Sequence, residues 1–250
     1  MPLKLLEIDP KTDFPAIARC MFESHEVPEQ KFFQAFFPTH GNGDQAREGA
    51  IDECATRLAS WHTDDPTSYW QKVVDTDTGR IAGAALWNIC ENDPFADEHQ
   101  MEVTWFPDNG ARRFVERFLD IYEEPRARVG RRPQVYLFIL FTHPDYRRRG
   151  AAQQCLNWGM NKADEMGVEM FLDSTPVGKP LYEVNGFQVV EKTVIIPQTE
   201  NPDNDWREAE DKIGHSIWWL MWRPVRGEYE GGVTVKPWEK KQAHGRSSLF

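Results

Sequence analysis

The chain has 250 residues, of which 40% are hydrophobic and 28% charged, enough apolar material for one large domain and too much for wholesale disorder. Forty Asp+Glu against 29 Lys+Arg leave a net charge of −11, which argues against a duplex nucleic-acid surface and against a polybasic membrane anchor. No apolar run approaches the roughly 20 residues that span a bilayer. Glu7 and Asp9 interrupt the N-terminal stretch where a signal peptide would stay apolar. Four widely spaced cysteines (Cys20, Cys54, Cys90, Cys155), with no C-x-x-C pair and no N-x-[ST] sequon, predict reduced thiols and a cytoplasmic location.

In chain order, Phe14, Ile17, Ala18, Met21 and Phe22 predict a helix over 13–26 with Asp13 as N-cap. A short helix over 31–37 puts Phe32, Phe33, Phe36 and Phe37 on one face before Pro38, and a polar-faced helix covers 44–61. Residues 69–74 and 81–90 flank a D-T-D-T-G turn and read as a hairpin. Residues 91–133 read as an elaborated insertion, with a helical stripe at Phe114, Val115, Phe118 and Leu119. The continuous apolar run 135–142 predicts a strand buried on both faces. A helix over 151–166 and a strand over 168–173 complete a right-handed β-α-β unit, with Gly167 at the helix C-cap. A short helix (179–185), a strand (187–190) and a last strand (216–222) follow. The whole reads as one domain over 1–224 with a polar tail over 225–250 that adds little to the core.

The chemistry is concentrated in Y-L-F-I-L-F-T-H-P-D-Y-R-R-R-G-A-A, residues 136–152. A buried strand ends, a tight turn of Arg147-Arg148-Arg149-Gly150 follows, and Ala151 and Ala152 open a helix. Amide N–H groups in such a turn converge on one concavity, where the positive helix end adds to them. Gly150 leaves room for close approach, and the arginines offer charge-assisted bonds to phosphate oxygens. A diphosphate cradle and a solvated basic turn both fit this composition.

Arg147-x-x-Gly150-x-Ala152 resembles the Q/R-x-x-G-x-G/A motif of the GNAT superfamily of acyl-CoA-dependent N-acyltransferases. Downstream, P-L-Y-E-V-N-G-F (residues 180–187) is similar to that family's second signature. Within the superfamily, T-H-P-D-Y-R-R-R-G is most similar to a branch of small-molecule acetyltransferases common in fungi. The resemblance implies an α/β fold with a mixed, splayed sheet flanked by helices, and acetyl-CoA as cosubstrate. It implies that amides of Arg147, Arg148, Arg149, Gly150, Ala151 and Ala152 hold the pyrophosphate. It further implies that Leu140, Phe141 and Thr142 pair with pantetheine and that Ser174 contacts the same arm. The implied reaction moves an acetyl group to the amine of a small molecule by direct attack in a ternary complex. Tyr182 would protonate the departing thiolate, or else pack its ring beneath the cofactor.

The general base stays open. Many relatives carry a carboxylate or histidine on the fourth strand, where this chain has Phe138, Ile139 and Leu140. Glu102, His143 and Asp173 are the candidates; His143 also fits a turn histidine bonded to backbone, and Asp173 a turn cap. Catalysis by positioning alone is a further option. The missing strand carboxylate also fits a CoA-binding regulatory module without activity. Gly41-Asn42-Gly43-Asp44-Gln45-Ala46 fits G-x-G-x-x-A, but follows Pro38-Thr39-His40 rather than a strand, so a dinucleotide-dependent reductase is set aside. Scattered histidines give no metal site, and Cys155 reads as a buried structural thiol. Residues 91–102 and 200–211 each carry a net charge of −5 and read as solvated loops. If either borders the acceptor entrance, a cationic amine is favoured. No nucleic-acid or membrane partner is expected.

Overall fold

The computed structural model describes residues 2–96 and 102–239; part of the acidic segment 91–102 and the end of the tail lie outside the described residues. A seven-stranded sheet is built from β1 (Leu3–Glu7), β2 (Ser68–Asp75), β3 (Ile81–Cys90), β4 (Gln134–Thr142), β5 (Glu169–Ser174), β6 (Gln188–Ile195) and β7 (Ser216–Arg223), in the order β1-β2-β3-β4-β5-β7-β6. Neighbouring strands are antiparallel except β4 and β5, which run parallel. One face is covered by α1 (Phe14–Glu26), α2 (Phe33–Phe36), α3 (Gly43–Asp64), α4 (Gly110–Val129) and, packed on α4, α7 (Asn204–Ile213). The other face is covered by α5 (Ala151–Met166) and α6 (Lys179–Val184). No helix among the described residues is long and apolar enough to cross a membrane.

The parallel pair decides where a site can form. β4 and β5 pair only from Gln134↔Glu169 to Leu137↔Leu172. On its other edge β4 carries a bulge: Leu86 faces Ile139 and Trp87 faces Leu137, so Phe138 has no partner. The extra residue breaks the alternation of faces. Phe138 and Ile139 both pack toward the α1–α4 face, while Leu140 returns to the α5 face. The apolar run therefore is not buried throughout, as its composition predicts: Phe138, Ile139 and Leu140 are half-buried beside the gap where the strands part.

α5 is seated tightly behind this gap. A Cβ added at Gly159 would lie 2.2 Å from the Trp87 ring, so only glycine lets helix and strand approach so closely. Gly167 ends α5 in the left-handed region at φ 67°, its N–H shared between the carbonyls of Ala163 and Asp164.

Several elements differ from the sequence reading. β1 goes unannounced because a five-residue edge strand with two charges shows no clear alternation. The acidic segment 200–211 is no solvated loop: most of it lies in α7, which buries Trp206, Ala209 and Ile213 and presents its acids on the opposite side. The Trp206 ring meets Phe114 edge to face at 5.2 Å, and Asp203 caps the helix by accepting from Trp206 N at 2.9 Å. α4 runs past the predicted stripe and through Pro125, reaching Val129. Asp13 stands at the N-cap position of α1 but makes no cap bond; its carboxylate accepts from Asp9 N at 2.6 Å and from Lys72 Nζ at 2.5 Å. In the tail, Trp238 meets the buried Trp222 edge to face at 5.4 Å.

Candidate active site

The turn after β4 is a concentration of free amides. Pro144–Tyr146 forms one 3-10 turn, and the first helical bond of α5 runs from Gln154 N to the Gly150 carbonyl at 3.0 Å. The amides of residues 148–153 therefore donate to no acceptor among the described residues. Arg148 (φ 60°) and Gly150 (φ 85°) take the left-handed conformations that turn these groups toward one side. Orphaned donors at a helix N-terminus fit an anionic diphosphate. The turn is pinned from outside: the Tyr146 hydroxyl donates to the buried carboxylate of Asp75 at 3.0 Å. Arg147 is held inward, donating to the carbonyls of Ser24 at 2.8 Å and Thr142 at 3.4 Å.

A cavity of about 720 Å³ starts at this turn and passes through the gap between β4 and β5. It is lined from both faces of the sheet. Leu140, Ala151 and Tyr182 contribute from the α5 side, and Phe32, Tyr122, Phe138, Asp173 and Trp218 from the α4 side. Tyr182 is buried against Phe187, its Cε2 placed 3.0 Å from where a Cβ at Gly178 would stand. Burial pushes its phenol above the usual tyrosine range, and its hydroxyl has no hydrogen-bond partner among the described residues.

On the opposite side, Asp173 ends a buried polar chain. The Tyr136 hydroxyl donates to Asp173 Oδ2 at 2.9 Å, and the Tyr122 and Tyr136 hydroxyls are 3.2 Å apart. The Arg126 guanidinium lies 3.8 Å from the Tyr136 ring centre, with its Nε 3.8 Å from Asp173 Oδ2 and without a hydrogen bond. Burial raises the Asp173 carboxyl to about 6, against the opposing pull of Arg126 and the Tyr136 hydroxyl. Nearby, His25 stacks on Phe33 at 4.3 Å and its Nδ1 lies 2.7 Å from the Met21 carbonyl. A carbonyl only accepts, so Nδ1 carries the proton. Burial lowers this imidazole to about 4, which keeps it neutral near pH 7.

The model of the acetyltransferase (GNAT) family matches residues 30–187. The chain belongs to the GNAT acetyltransferase family. Solved structures agree on the fold. Arylalkylamine N-acetyltransferase 2 from Aedes aegypti superposes with a TM-score of 0.60 at 14% identity, covering 90% of this chain and 100% of that one. A polyamine N-acetyltransferase from Drosophila melanogaster, described as forming N-acetylagmatine, gives 0.58 at 14% identity over 88% and 99%. A histone acetyltransferase HPA2-related acetyltransferase from Corynebacterium glutamicum gives 0.53 at 18% identity over 90% and 97%. No curated protein sequence matches the chain. As a GNAT member the chain is an N-acetyltransferase, and the family's cosubstrate is acetyl-CoA.

Within this GNAT site, Leu140, Phe141, Thr142, Arg147, Arg148, Gly150, Ala151, Ala152, Asp173 and Tyr182 all line the cavity. Arg149 does not; it is exposed, 5.6 Å from the Tyr146 ring centre. Ser174 is buried, its hydroxyl donating to the Thr175 carbonyl at 2.8 Å, and Thr175 lines the cavity in its place. His143 also lies off the cavity: Nδ1 accepts from Asp145 N at 3.1 Å, and Nε2 lies 3.1 Å from Glu23. Glu102 is exposed and lines no part of the cavity. The 41–46 glycine segment leads into α3 and is equally absent from the lining. Among the described residues no group of three or more His, Cys, Asp and Glu is arranged to hold a metal ion. Sequence reasoning missed His25, Tyr136 and Arg126, because only the fold brings these helix and strand positions to one gap.

Proposed function

We propose that the chain transfers the acetyl group of acetyl-CoA to a primary amine of a small molecule, by direct attack with both substrates bound. One observation carries this reading: a single cavity joins the amide-rich turn to a buried carboxylate through the sheet, with Tyr182 on one side and Asp173 on the other. The amides of residues 148–153, with Arg148 beside them, bind the pyrophosphate. Leu140, Phe141 and Thr142 line the way inward, so the pantetheine arm leads the thioester to the gap between β4 and β5.

Asp173 receives the proton that the amine must lose. A carboxyl near 6 is a better acceptor at neutral pH than an ordinary one near ~4, while still ionised. As the new C–N bond forms and the C–S bond breaks, Tyr182, protonated and otherwise unbonded, donates to the departing sulfur. Holding amine and thioester in one enclosed cavity supplies a further share of the rate. The T-H-P-D-Y-R-R-R-G segment resembles a branch of small-molecule acetyltransferases common in fungi, and the arylalkylamine and polyamine enzymes named above share this fold.

Purified protein incubated with acetyl-CoA and a panel of amines, with free CoA thiol and acetylated product both measured, tests the reading. Equal amounts of thiol and acetylamine are expected. Tight CoA binding without turnover on any amine would instead establish a CoA-binding module.

A further inference from the structure

We infer that the acceptor is an aromatic monoamine, with one cationic nitrogen on a short arm bearing an aryl ring. This rests on the acetyltransferase reading and concerns which amine the cavity admits. Beyond the gap the wall is made of Phe32, Tyr122, Phe138 and Trp218. Phe32 and Trp218 meet at 4.7 Å and 76°, and Tyr122 and Trp218 at 5.0 Å and 72°, which leaves tilted rings around the space. Such arrangements accept a further ring edge to face or offset. Phe32 and Phe138 are only half-buried, so their ring surface is available to a ligand. The polar tips of this wall are already engaged: the Trp218 indole N–H donates to Ser216 Oγ at 2.9 Å, and the Tyr122 hydroxyl pairs with Tyr136. The wall therefore selects by shape and apolar contact.

Charge narrows the class further. Among the described residues Asp173 is the only carboxylate lining the cavity, and Tyr136 occupies one of its oxygens. No residue of 200–211, and no described residue of 91–102, lines it, so the acidic segments supply no second anion there. A monoamine can set its nitrogen at Asp173 and its body against the rings. A diamine or guanidino-amine would have to bury a second cation with no carboxylate to pair it.

The test compares 2-phenylethylamine, n-butylamine, agmatine and spermidine on the full chain saturated with acetyl-CoA. Turnover is followed by thiol release, and binding to the CoA-loaded protein by calorimetry. The expected kcat/KM for 2-phenylethylamine exceeds those for agmatine and spermidine at least tenfold. Trp218→Leu should lower the ratio of kcat/KM for 2-phenylethylamine over n-butylamine about tenfold, and Trp218→Phe should restore most of that ratio. Agmatine or spermidine turned over as well as 2-phenylethylamine would overturn the inference and leave the acetyltransferase reading standing. Binding of 2-phenylethylamine without turnover would do the reverse, and no binding of it would overturn the inference.

Discussion

The Tyr136 hydroxyl donates to Asp173 Oδ2 at 2.9 Å, joining β4 to β5 just where their backbones stop pairing at Leu137 and Leu172. A side-chain bond thus bridges the mouth of the gap and fixes the carboxylate that lines the cavity. On the proposed mechanism, Asp173→Asn keeps the shape and removes the base. Its kcat should fall by about 10²–10³-fold, in the usual range for a lost acid–base group, with a small change in acetyl-CoA KM. Steady-state kinetics checks the split.

The same carboxyl makes stability pH-dependent. Its folded value of about 6 lies above the model value of 3.8, so the native state keeps a proton that the unfolded chain releases between the two. The stabilisation from that proton is complete below the unfolded value and is lost as pH rises through about 6. Urea titrations from pH 4 to 7 should show this decline in the native chain and a flatter curve in Asp173→Asn.

In the proposed mechanism Arg126 sets the pH at which Asp173 accepts its proton. Its Nε lies 3.8 Å from that carboxyl, with Tyr136 stacked beneath it, while Glu123 and Tyr122 from the same helix face the cluster. Arg126→Met removes a force that lowers the Asp173 value, so the acid limb of the pH–rate profile should move to higher pH. A profile that shifts lower or stays put would show that Arg126 does not act on the base.

Tyr182→Phe deletes a hydroxyl that the fold does not use. Turnover should fall about 10²-fold with CoA affinity and thermal stability nearly unchanged. Unchanged turnover would reduce the ring to a packing element.

Two positioning contacts can be separated from chemistry. Tyr146→Phe frees the turn from Asp75 and leaves a buried carboxylate short of a donor, at a cost of about 1–3 kcal/mol. It should raise KM for acetyl-CoA more than it lowers kcat. Gly159→Ala drives a methyl into the Trp87 ring and should destabilise the fold by about 1–3 kcal/mol, read as a lower urea midpoint.

The cofactor end of this site was legible because its signals are local. Arg147 to Ala152, the apolar run before them and the helix stripe after them lie within about thirty residues, and each element forms where its pattern predicts. The acceptor end is legible only in part: Asp173 stands out as a candidate base at the end of β5. Tyr136 and Arg126 come from separate elements, and no spacing along the chain announces that a bulge at Phe138 and a parted strand pair will bring them beside it. Charge misled as well: the acids of 200–211 suggested a solvated loop, while Trp206, Ala209 and Ile213 recur at helical spacing and dock α7 on α4. Residue type points to Glu102 and His143 as well; the fold leaves Glu102 exposed and ties His143 to the Asp145 amide beside Glu23.

The most direct test of the central claim is the pH dependence of CoA thiol release under saturating acetyl-CoA and amine, in the native chain and in Asp173→Asn. The through-sheet site predicts acetylamine formation whose rate rises with pH through about 6 in the native chain, and loss of that limb with a rate at least 10²-fold lower in the variant. Native rates retained by Asp173→Asn, with the same acid limb, would contradict it.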